Sequence, residues 1–144
     1  MLTVDESIVI DKPRPEVFTF FSDPENIAVY SSNIVDYEVI EGAPDAVGRK
    51  ARFSVKVVGV RLDYTDEVVE RVENERAKTV SRDGRIPYSI TLTFTDEGSG
   101  TKVNWLQESE TLGGVFKFAD GLVIKMYTKD VRSNLEKAKA LLEG

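Results

Sequence analysis

The chain has 144 residues, 25 acidic against 19 basic, a net charge of −6, and neither cysteine nor histidine. Disulfides, thiolate metal sites and cysteine nucleophiles are therefore excluded, and the commonest metal ligand and near-neutral general base are missing. An acidic balance with no Lys/Arg run among aromatics is also the wrong footprint for nucleic acid.

This length predicts one domain spanning residues 1–144, large enough to bury a core. The start, "MLTVDESIVID", lacks a basic segment followed by an apolar one, so no signal peptide is expected. Nothing approaches the roughly 18 apolar residues that span a bilayer, which makes the cytoplasm the default location. Neither metal nor cofactor is expected, and the sequence does not decide between monomer and dimer. Any catalysis must use Asp, Glu, Tyr, Lys, Arg, Ser or Thr.

An apolar-alternating strand is predicted over about Thr3–Asp11, ending at "DKPRPE", where Pro15 suits a first helical turn. Val17, Phe20 and Phe21 recur at helical spacing. "SDPENIAVY" then restarts a second short helix, capped by Ser22 or Asp23. From Val35 to about Thr111 the period becomes two, broken by turn signals such as "VGVR", "VENER", "RDGR" and "DEGSG". Within "RDGR", Asp83-Gly84 is a strong hairpin signal. Six strands in an antiparallel meander follow from this pattern, with a long helix closing the chain.

Cross-strand pairing fixes provisional registers. Pairing Val57 with Leu62 sets Lys56 against Asp63 and Arg52 against Glu67, with Phe53, Val55 and Tyr64 together on the other face. The next hairpin sets Glu73 by Arg76 and Val69 by Val80. Around "DEGSG", Phe94 meets Val103, Leu92 meets Trp105 and Ile90 meets Gln107. One face is thus solvated and the other apolar, as in an antiparallel sheet covered on one side.

The closing segment, "GGVFKFADGLVIKMYTKDVRSNL", carries two stripes. Residues from Val115 to Tyr127 are apolar over about half the circumference at 100° per residue, whereas Val131, Leu135, Ala138 and Leu142 form a narrower stripe, rotated from the first. Three readings of the broad half stand: a lid over a cavity, a dry core in which Met126 fills gaps, or an apolar lip at Phe116, Phe118 and Leu122 for a partner or membrane.

"SIVIDKPRPEVFTFFSDPENI", "VGRKARF" and "GSGTKVNW", in this order of elements, resemble the START-like superfamily that includes Bet v 1 and the polyketide cyclase/dehydrase-type proteins. The resemblance covers essentially the whole chain. It implies an α+β helix-grip fold, a curved antiparallel sheet wrapped around a long C-terminal helix. It also implies a deep, mostly apolar cavity for lipids, sterols, polyketides or other hydrophobic molecules. Some relatives are cyclases, aromatases or hydrolases, and many are carriers. Many carry a tryptophan soon after the helix pair, where this chain has "VYSSNI" with Tyr30 as the nearest aromatic.

The expected concave face gives the candidate ligand contacts. From the sheet come Phe53, Val55, Tyr64, Asp66, Thr79, Tyr88, Ile90, Trp105 and Gln107. Phe116, Ala119, Val123 and Tyr127 come from the helix. The same registers place one polar row across that face, Arg49–Glu70–Thr79–Tyr88–Ser109, or else at its wet rim. Within it Arg49, Glu70 and Tyr88 are the candidate catalytic groups: Arg49 for an anion, Tyr88 as a donor to a carbonyl, Glu70 as acid or base. A β-bulge would send every later residue to the opposite face. The first functional expectation is a carrier or sensor of a hydrophobic small molecule. Its alternatives are a polyketide cyclase/dehydratase-type enzyme and a protein- or membrane-interaction module.

Overall fold

The computed structural model describes residues 2–31, 33–44, 46–57, 60–83, 86–110 and 120–144. Apolar alternation produces β1 (Leu2–Ile10), whose inward positions Leu2, Val4 and Ile10 are buried. Two short helices follow, α1 (Arg14–Ser22) and α2 (Pro24–Tyr30). Pro15 sits in the first turn of α1, where its missing N–H removes no helical bond. Asp23 caps α2, its carboxylate accepting from the Glu25 N–H at 2.9 Å. On α1 the buried face is Val17, Phe18 and Phe21; Phe20, expected inward, is only partly buried, and Phe18 takes its place.

The meander consists of β2 (Ile34–Glu41), β3 (Lys50–Val57), β4 (Val60–Val72), β5 (Arg76–Ser81), β6 (Tyr88–Glu97) and β7 (Gly100–Ser109). These strands and β1 form one antiparallel sheet in the order β1-β7-β6-β5-β4-β3-β2. Helix α3 (Asp120–Glu143) packs along β1. Its second half behaves as its stripe predicts, burying Val131, Leu135 and Ala138 against the core. At its far end α3 covers the exposed edge of β1. Lys139 Nζ donates to the Val9 carbonyl at 2.7 Å, and a Glu143 carboxylate oxygen accepts from the Asp11 N–H at 2.9 Å. Strand edges left open invite further pairing, so this clasp also has protective value.

The β6–β7 register is the one expected, with Phe94 opposite Val103, Leu92 opposite Trp105 and Ile90 opposite Gln107. Three other registers differ, β5–β6 among them, where Thr79 pairs with Ile90 rather than Tyr88. Val57 pairs with Val60 rather than Leu62, a slip of two that preserves faces but changes partners. Asp63 now faces Ser54, whose hydroxyl donates to it at 2.6 Å. Bonds from Arg61 to Asp36 and Ser54 accompany this choice. Between β4 and β5 the register shifts between Val68 and Glu70, so a bulge at Val69 exchanges the faces beyond it. β5 and β6 are joined through 82–87 rather than by a two-residue turn. Asp83 there accepts from the Thr65 N–H at 3.1 Å, and Gly84 lies outside the described residues.

Gly100 marks a tight strand approach. A Cβ there would lie 2.5 Å from the Ile10 carbonyl oxygen, backbone that cannot swing aside. Gly100→Ala is therefore expected to destabilise the fold by about 1–3 kcal/mol, as overpacking typically does. Urea denaturation checks this, and an unchanged midpoint would refute the close approach.

Candidate functional site

Curvature of the sheet leaves a cavity of ≈ 190 Å³ between its concave face, α2 and α3. Nine aromatic side chains line it among the described residues: Phe21, Tyr30, Tyr37, Phe53, Tyr64, Tyr88, Phe94, Trp105 and Tyr127. Four of them run as a ladder along the concave face, from β2, β3 and β4 and then, past β5, from β6. Tyr37 stacks on Phe53 and Phe53 on Tyr64, each at 5.8 Å, and Tyr88 meets Tyr64 edge-on at 5.4 Å. Offset and edge-on geometry suits the ring quadrupole. Tyr30, on α2, meets Trp105 edge-on at 6.4 Å.

Of the residues expected at a ligand site, Phe53, Val55, Tyr64, Asp66, Thr79, Tyr88, Ile90, Trp105, Gln107 and Tyr127 line this cavity, as does Arg49. Phe116, Ala119 and the side chain of Val123 lie outside the described part of the structure. The Trp105 indole N–H is satisfied by Gln107, donating to the amide oxygen at 3.2 Å. Leu122, one residue of the suggested lip, is exposed; its companions Phe116 and Phe118 are not described.

Glu70 is a correction. The bulge at Val69 turns it to the outer face, where it pairs with Lys78 and binds Arg76, both acid and base half-exposed. The expected polar row breaks with it. The Arg49 carbonyl instead accepts from the Val68 N–H, Thr79 lies opposite Ile90, and only the Tyr88–Ser109 pairing stands. The bulge brings Arg71 inward in exchange. Its guanidinium carbon lies 4.9 Å above the Phe18 ring, a cation–π contact.

Tyr37 reaches the cavity by a second irregularity. Asp36 takes a left-handed backbone (φ 55°) within the β2–β3 register shift. Strict alternation from the inward Ile34 would have carried Tyr37 outward. Neither Tyr37 nor Arg71 was visible to period-two reading, because a bulge has no simple residue signature. Tyr30 was visible as an aromatic but not as a wall residue.

Among the described residues four charged side chains line the cavity: Arg49, Asp66, Arg71 and Asp130. Asp130 is engaged at the α3 side, accepting from Asn33 Nδ2 at 2.6 Å. By contrast Tyr37 Oη, Arg49 Nε and Asp66 Oδ1 are buried without a hydrogen-bond partner among the described residues. Such atoms typically cost about 1–3 kcal/mol each. Burial pushes the Asp66 carboxyl up to about 6, against the opposing pull of the Arg49 charge and the Ala51 backbone. Tyr88 is raised well above the usual phenol value, first by burial and next by Asp66. Burial, then Asp66, also raises Tyr37. The phenols therefore stay protonated donors, and burial raises the cavity acid Asp130 as well as Asp66.

The family described as "Polyketide cyclase / dehydrase and lipid transport" matches residues 1–143. The chain belongs to this family. No curated protein matches it. Solved structures similar to this cyclase/dehydrase and lipid-transport family member include TTHA0849 from Thermus thermophilus. That protein is 23% identical over 97% of this chain and 96% of its own, with a TM-score of 0.86. A START superfamily protein from Mycobacterium smegmatis is 13% identical over 98% and 97%, with a TM-score of 0.79. Ara h 8.0201 is 13% identical over 97% and 96%, with a TM-score of 0.71. At these identities the likeness is one of fold: the START-like, Bet v 1-like helix grip. Among the described residues no helix is long and apolar enough to cross a membrane.

Proposed function

We propose that this family member is a single-domain binding protein for a hydrophobic small molecule, held between the concave sheet and α3. One observation carries the reading: a ≈ 190 Å³ cavity walled by aromatic and aliphatic side chains with a few converging polar groups. That combination is the usual form of a small-molecule site. Trp105 and Tyr127 are its reporters, one from the sheet and one from α3. Native mass spectrometry of gently purified protein, followed by organic extraction, tests it. The expected result is a discrete extra mass that extracts as an apolar compound. A bare chain mass, together with no uptake of an added apolar dye, would overturn the reading.

A cyclase/dehydratase-type enzyme is the second reading, favoured by Asp66. Glu70 is withdrawn from it, and the acid–base group becomes Asp66, with Tyr88 as a hydrogen-bond donor and Arg49 as the nearby cation. An acid whose pKa lies near 6 exchanges protons readily near neutral pH. Asp66→Asn separates the readings, because a carrier keeps binding its ligand while an enzyme loses turnover by about 100-fold or more.

A further inference from the structure

Size and polarity of the cavity narrow what it takes. A cavity of about 150 Å³ lined by apolar side chains holds benzene. The ≈ 190 Å³ here therefore suits one or two fused rings better than a long acyl chain or a four-ring sterol. The walls add a shape preference, since the Tyr37–Phe53–Tyr64–Tyr88 ladder offers ring faces and edges for a flat molecule.

The polar groups decide the rest. Asp130 is engaged by Asn33, and Arg71 lies over Phe18, although its Nε, like three other cavity atoms, lacks a partner among the described residues. Those three atoms are Asp66 Oδ1, which accepts, and Tyr37 Oη and Arg49 Nε, which donate. All three side chains line the same cavity. An ammonium would satisfy Asp66 but oppose Arg49. A carboxylate would satisfy Arg49 and Tyr37 but oppose Asp66. A neutral hydroxyl both gives and takes a hydrogen bond and meets neither objection. All three atoms are shielded in the structure, so binding requires side-chain rotation to present them.

We propose, resting on the binding reading above, that the cavity selects a compact one- or two-ring aromatic molecule bearing a neutral hydroxyl. Asp66 accepts from that hydroxyl, and Tyr37 and Arg49 donate to it. Asp66 is then a specificity-determining residue.

Calorimetric titration of the full chain at pH 7.5 with four probes tests this: naphthalene, 2-naphthol, 2-naphthoate and palmitate. 2-Naphthol is expected to bind about tenfold or more tightly than naphthalene, the size of one hydrogen bond to a charged group. It should exceed 2-naphthoate by at least as much. In Asp66→Asn the discrimination against 2-naphthoate should vanish. Tyr37→Phe should weaken 2-naphthol severalfold and leave naphthalene unchanged, which supplies a second variant should the first fail to fold. Equal affinity for naphthalene and 2-naphthol, or tighter binding of 2-naphthoate or palmitate, overturns the proposal while leaving a binding cavity. Failure of all four probes overturns the binding reading and the proposal together.

Discussion

Phe18→Ala is expected to remove about 3–5 kcal/mol of stability, the range for deleting a buried phenyl group. Phe18 is 1% exposed and lies where α1 meets the sheet. Its ring stands at 74° to Phe94 with centroids 5.2 Å apart. On another side the Arg71 guanidinium covers it at 4.9 Å. The substitution would open a void beside Phe94 and also leave a largely buried cation without its ring. Both effects act in one direction. Natural domains have only about 5–15 kcal/mol in total, so the variant should melt about 10 °C or more below wild type. Val9→Thr on the exposed side of β1 is the control, expected within about 0.5 kcal/mol. Equilibrium urea denaturation of both variants is the measurement, and a loss below about 1 kcal/mol for Phe18→Ala would contradict this packing.

The second large effect is a pH dependence at Asp66. Burial lifts its carboxyl from the ordinary 3.8 to about 6, with Arg49 and the Ala51 backbone pulling downward. Between these values the native chain binds more protons than the unfolded chain, so stability falls as pH rises through that window. Below about pH 4 both states are protonated and the group contributes nothing. Above about pH 6 the whole penalty is present, about 2–3 kcal/mol at 1.36 kcal/mol per unit. The direction is the reverse of that for a salt-bridged carboxylate. Asp66→Asn keeps the shape and removes the titration. The stability of wild type minus that of the variant should therefore decline by about 2–3 kcal/mol from pH 4 to pH 7. Other titrating groups are common to both chains and cancel in the difference. Parallel stability curves across that range would show that Asp66 is not desolvated.

Much of this architecture is legible from residue order. Period-two alternation and turn residues located the strands, Asp23-Pro24 marked the start of α2, and the narrow stripe of Val131, Leu135 and Ala138 located the buried face of α3. In β6–β7 the register was recoverable because apolar and polar pairs agree along its whole length. At β3–β4 charge pairing was a poor guide. Alternative slips of two each offer opposite charges, and surface ion pairs such as Arg52–Glu38 contribute too little to decide.

The site was harder to read because two bulges set it. One carries Glu70 out and Arg71 in; the other, at Asp36, turns Tyr37 inward. A bulge changes the face of every residue after it while leaving local composition almost untouched. Asp66 precedes the bulge on its strand, and simple alternation was enough to place it on the concave face.

If the concave face encloses space for an apolar molecule, filling that space must abolish uptake. Titration of naphthalene into wild type and into Val55→Trp, whose indole would fill the cavity from β3, tests it most directly. The expected result is saturable uptake of one equivalent by wild type, with a change in Trp105 emission, and none by a folded Val55→Trp variant. Equal uptake by both chains, or none by either, would contradict it.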